Sequence, residues 1–129
     1  MSAYSLDNVK KQQRSLRIIM TTLVHIDYPF KGPFGPALTE KFKSLAEETS
    51  NEPGLLWKIW TENPQQEEAG GVYLFQNESQ AQKYLEKYLG KMISNGITEV
   101  RARIVKVHSE LSDITNAPLS GQTTIQSSQ

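Results

Sequence analysis

Residues 55–75, LLWKIWTENPQQEEAGGVYLF, decide how this chain folds. Aromatic and aliphatic residues fill both ends, and the polar, proline-containing ENPQQEEA separates them. That pattern predicts a hairpin with strands at Leu55–Glu62 and Gly70–Phe75 and a loop longer than the tightest turns. Both tryptophans, Trp57 and Trp60, sit on the first of these strands, three residues apart. Side chains alternate along a strand, so an odd spacing sends the two indoles to opposite faces of the sheet.

On either side of the hairpin the hydrophobic period changes. Upstream, Leu38, Phe42, Leu45 and Ala46 form one helical stripe, with Pro36 suited to the first turn and SNEPG at 50–54 ending it. Before that helix, MTTLVHIDY at 20–28 alternates as a strand, and PFKGPFGP breaks the ladder. Downstream, Asn77 or Ser79 caps a second helix whose apolar face runs from Ala81 through Tyr84, Leu85, Tyr88 and Leu89 to Ile93; Asn95-Gly96 stops it. EVRARIVKV at 99–107 alternates again. The order β-α-β-β-α-β predicts an α+β, ferredoxin-like fold: one four-stranded antiparallel sheet with both helices on one side. Residues 1–17 read as a polar extension, 18–118 as the folded domain, and 119–129 as a flexible tail with too little apolar surface to fold alone.

Such a sheet has one face under helices and one bare. The set Val24, Ile26, Leu55, Trp57, Ile59, Val72, Leu74, Val100, Ala102 and Ile104 is almost purely apolar, which assigns it to the helices. The alternate set holds His25, Asp27, Lys58, Trp60, Tyr73, Phe75, Arg101 and Arg103. An open face carrying Trp60, Tyr73 and Phe75 exposes more apolar area than monomers usually tolerate. A second copy packed sheet to sheet would cover it. This assigns Trp57 to the core and Trp60 to a dimer interface or a lined cavity.

Composition narrows the partners. Fourteen basic and fourteen acidic residues give a formal charge of zero, which argues against nucleic acid or an anionic membrane as the main partner. No cysteine is present, so disulfides, thiolate catalysis and Cys-ligated zinc are excluded. The apolar run Ile18–Ile26 is too short to span a bilayer and has no cleavage motif after it, which reads as a cytoplasmic chain with a buried strand. Neither GxGxxG, a P-loop nor HExxH occurs, and two distant histidines make no metal site. The reading assigns no cofactor and no metal.

GPFG at 32–35, EPGLLWKIWTE at 52–62 and EAGGVYLF at 68–75, with QAQKYLEKY and the closing strand, resemble the small bacterial putative mono-oxygenase family known as YdhR. The likeness covers roughly residues 20–118. It implies a dimeric α+β barrel, two ferredoxin-like subunits facing each other through their sheets. It also implies distant kinship with cofactor-independent mono-oxygenases of polycyclic aromatic substrates.

Candidate site residues follow, each with a plainer structural reading beside it. His25 is the candidate base, or a hydrogen-bonded interface histidine. Arg101 is the candidate stabiliser of a phenolate, or an ion-pair partner of Asp27 or Glu62. Trp57, Trp60 and Tyr73 are candidates to shape an aromatic pocket, with Phe34 at its mouth or plugging the end of the core. Tyr84 and Tyr88, one turn apart, are candidates to offer hydroxyls to a phenolic ligand, or simply pack in the core. Gly70-Gly71 leaves room for a flat ligand or marks a close approach of two chains. The alternative to an enzyme is a non-catalytic dimer that binds a hydrophobic small molecule in the same cavity.

Overall fold

The structure, a computed structural model, describes residues 21–120; the predicted extension at 1–17 and most of the predicted tail lie outside them. In chain order the elements are β1 (Thr22–Pro29), α1 (Pro36–Thr49), β2 (Leu55–Asn63), β3 (Glu68–Phe75), α2 (Glu78–Ser94), β4 (Arg101–Lys106) and α3 (Ser109–Ile114). The four strands form one antiparallel sheet in the order β2-β3-β1-β4, the expected α+β, ferredoxin-like arrangement. Only the short α3 was not anticipated. Its cap is a histidine, His108, whose Nδ1 accepts the Leu111 N–H at 3.3 Å, and histidine is not among the usual capping residues.

The second helix forms for the reasons its sequence suggests. Asn77 is its cap, accepting the Gln80 N–H at 2.9 Å through Oδ1. Its end is a Schellman turn: Gly96 has φ 83°, its N–H donates to Ile93, and the Ile97 N–H donates to Met92. Replacing Asn77 by Ala is expected to cost about 1 kcal/mol of stability in urea titration, the usual worth of such a cap. An unchanged midpoint would mean that tertiary packing alone holds this turn.

The core lies between α2 and the sheet. Val24, Ile26, Tyr73, Phe75, Ala81, Tyr84 and Leu85 form one buried cluster. The first helix behaves differently. It buries only Thr49 and leaves Leu45 exposed, so its apolar stripe is held off the sheet instead of being sealed against it. That gap is the cavity described below.

The assignment of sheet faces is half corrected. β1 and β4 present Val24, Ile26, Ala102 and Ile104 to the helices as expected. In β3, however, the register sets Tyr73 opposite Val24 and Phe75 opposite Thr22, so these two face the helices, and Val72 and Leu74 face away. In β2 an irregularity between Leu55 and Trp57 shifts the phase. After it, Lys58 and Trp60 lie on the helix side, beside Tyr73 and Gly71, while Trp57 and Ile59 lie on the open side. The two indoles do take opposite faces, but in the reverse sense: Trp60 is under the helices and Trp57 is not.

The open face divides into three rows across the strands. Trp57, Leu74, Leu23 and Val105 form the first, Ile59, Val72, His25 and Arg103 the second, and Thr61, Gly70, Asp27 and Arg101 the third. The segment after α3 is tied to the first row, where the Trp57 indole donates to the Pro118 carbonyl at 2.7 Å. Leu119, the first residue of the predicted tail, is buried, as is Leu74. The second row is barer, with Ile59 55% exposed.

Candidate functional site

A cavity of about 440 Å³ lies between α1, α2 and the helix side of β2, within the ~300–1,000 Å³ range of small-molecule sites. One wall is aromatic. Phe30 packs on Phe42 at 6.0 Å, and Phe42 stacks on Trp60 at 6.2 Å between ring centroids. Tyr84 and Tyr88 of α2 and Tyr28 of β1, edge-on to Phe30, line the rest of the aromatic surface. Where the cavity meets solvent, exposed charged residues of both helices border it, and Lys87 is paired with Glu52 at 2.8 Å.

At the sheet side of this cavity sits a lysine that the sequence reading placed on the opposite face. Lys58 extends beneath Trp60, its Nζ 3.2 Å from the indole centroid and 4.6 Å from that of Tyr73. Gly71 makes this path possible: a Cβ there would fall 2.7 Å from Lys58 Cε. Among the described residues no carboxylate forms an ion pair with Lys58. Burial pulls its amine down from the ordinary 10.5 to about 7. A fall of that size corresponds to about 5 kcal/mol of lost preference for the charged form. The indole face opposes it by about 2 kcal/mol or more for a desolvated cation, which offsets burial only in part. At neutral pH a large share of the amine is therefore unprotonated, a base ready beside an aromatic slot.

The tyrosines around it are held neutral. Burial pushes the Tyr28, Tyr73, Tyr84 and Tyr88 hydroxyls up, so each stays protonated through the physiological range. Tyr84 donates to the Tyr73 hydroxyl at 3.4 Å, and the Tyr28 and Tyr88 hydroxyls interact with one another. These groups supply polar handles without adding negative charge to the cavity.

The residues singled out from the sequence are not gathered in one place. Trp60, Tyr84 and Tyr88 line the cavity. Tyr73 does not line the cavity: it is 1% exposed, in the core, with its ring 4.6 Å from Lys58 Nζ. Phe34 stands outside the lining and packs edge-on against Phe30, 5.6 Å between centroids. Trp57, His25 and Arg101 are on the other face of the sheet. There the exposed Arg101 forms ion pairs with Asp27 and with Glu68, the latter at 2.7 Å, and His25 Nε2 lies 3.8 Å from Asp27. Neither His25 nor Arg101 reaches the cavity.

Two residues were passed over in the sequence. Lys58 falls in the mixed set that a second copy would cover, and the signal that finds it is Gly71, opposite Trp60, which empties the space the lysine side chain fills. Glu62 reads as a partner of Arg101, yet its Oε1 accepts the Gly35 N–H at 2.9 Å and ties the GPFG turn, where α1 begins, to β2. That contact helps fix the height of α1 above the sheet.

The helices of the described residues include none long and apolar enough to cross a membrane, and no group of His, Cys, Asp and Glu among those residues is placed to hold a metal ion. A search of curated proteins returned no match. A family model described as putative mono-oxygenase ydhR matches residues 23–118, a span that takes in all of the sheet but Thr22, both long helices and every lining residue of the cavity, and the chain belongs to that family.

Proposed function

We propose that the protein is a cofactor-independent mono-oxygenase acting on a flat phenolic or enolisable aromatic compound held between α1, α2 and the sheet. The observation that carries this reading is Lys58: a desolvated amine without a carboxylate partner, inside an aromatic cavity, in a chain of a mono-oxygenase family. The aromatic walls hold the ring system, and the neutral amine takes the proton of the phenol or enol. The ammonium so formed then pairs with the anion at close range, where low dielectric makes the attraction strong. The electron-rich anion reacts directly with dioxygen. For an anthrone, the ring CH2 becomes C=O, one oxygen atom enters the product and the other leaves as water, so the substrate itself is the reductant.

Pairing of two copies through the open face belongs to the same proposal. The exposed Ile59 and Val105 and the neighbouring Val72 support it.

Oxygen uptake with a panel of anthrones and hydroquinones tests the reading. Saturable uptake above the spontaneous rate is expected, with one labelled atom from ¹⁸O₂ in the product. Trp60→Ala is expected to raise KM about tenfold or more by removing the ring that stacks on Phe42. Calorimetric binding without oxygen uptake would instead assign the cavity to a non-catalytic binding protein. Neither binding nor uptake across the panel would sink both readings.

A further inference from the structure

We propose that Lys58 is also a nucleophile that captures aryl aldehydes as imines within the cavity. The proposal rests on the reading of this cavity as an aromatic substrate site, but it requires no oxygen chemistry. Four lysines line the cavity, and they are not equivalent. Lys87 is held by both oxygens of Glu52, at 2.8 and 2.9 Å, and Lys41 and Lys91 are exposed, so their ammonium groups keep their water. Lys58 alone among them is drawn out of solvent, on the rigid middle of a strand, with its head between two rings.

Apart from the two ring faces, nothing beside Lys58 favours the charged form. From β1, β3 and α2 the facing titratable groups are tyrosines kept protonated by burial. From the mouth, Lys41, Lys87 and Lys91 are positive, and of the two carboxylates that line the cavity Glu52 is engaged by Lys87, leaving Glu48 at the exposed edge. A desolvated amine near other cations is the arrangement that activates lysine toward carbonyl groups.

The step balances without a redox partner. The Nζ lone pair forms a C–N bond to the aldehyde carbon as the C=O π bond breaks, and the proton moves from nitrogen to oxygen. The carbinolamine then loses water to give the imine. An aryl group would lie beside Phe42 and Trp60, whose stacked rings line the cavity.

The test uses 2-naphthaldehyde, which carries no phenol, with sodium cyanoborohydride to fix any imine as a secondary amine. Peptide mapping then locates the adduct. At pH 7, Lys58 is expected to label at least tenfold faster than any other lysine, with a rate midpoint near pH 7, and excess 2-naphthol is expected to suppress it. Lys58→Met is expected to lose this adduct while keeping its circular dichroism spectrum. Even labelling across the lysines, or an unlabelled Lys58 in protein that binds 2-naphthol, overturns the proposal and leaves the cavity reading standing. If 2-naphthol does not bind and Lys58 does not label, both fall.

Discussion

Replacing Lys58 by Met is expected to make the protein more stable and less active at the same time. At pH 7 the gain should be about 1–3 kcal/mol, because the variant no longer buries an amine that the unfolded chain would hydrate as an ammonium. The pH dependence identifies the cause. The folded value, about 7, lies below the unfolded value near 10.5, so between them the unfolded chain holds a proton that the folded chain has released. Wild-type stability should therefore rise with pH across that window, stay flat below it, and meet the variant above about pH 10.5. Oxygen uptake with an anthrone should fall about a hundredfold or more, the usual worth of a general base. Urea titrations at pH 6, 8 and 10 with parallel rate assays check both. A stability difference that is the same at all three values would mean that the amine is not desolvated.

Gly70→Ala is expected to lose about 3 kcal/mol or more, or to leave no folded protein. A Cβ at Gly70 would fall 2.0 Å from the Ile26 carbonyl oxygen and 2.8 Å from Asp27 Cα. Both atoms belong to the backbone of β1, and β1 and β3 are the two inner strands, so neither can move aside without opening the sheet. Gly71→Ala supplies the contrast. Its nearest obstacle is the flexible Lys58 side chain at 2.7 Å, so it should cost less stability while displacing the amine and lowering activity. Denaturant midpoints of the two variants decide the matter. Equal losses would show that the close approach at Gly70 is not what binds β1 to β3.

The fold was legible because its signals are local. Turn residues at GPFG, the cap at Asn77, the stop at Asn95-Gly96 and two clear changes of period mark the elements without tertiary information. The site was less so. Which side of β2 faces the helices depends on one irregularity between Leu55 and Trp57, and an extra residue in a strand reverses every side chain after it. β3 was ambiguous for a different reason: Val72 and Leu74 are as apolar as Tyr73 and Phe75, so hydropathy cannot choose between them. With the phase of β2 inverted, Lys58 shares the mixed set with His25 and Arg101, and those two stand out from it as the chemical candidates. Their ionic contacts on the open face explain them as partners of Asp27 and Glu68.

The reversal of the two indoles has a practical use. Trp60 borders the cavity, and Trp57 is tied to Pro118 on the far side of the sheet. Each is therefore a separate fluorescent label, placed by the chain itself on a different surface. In a protein carrying only Trp60, emission follows what enters beneath the helices; in one carrying only Trp57, it follows whatever meets the other side. One molecule thus carries the means to test the proposed ligand entry and the proposed self-association independently.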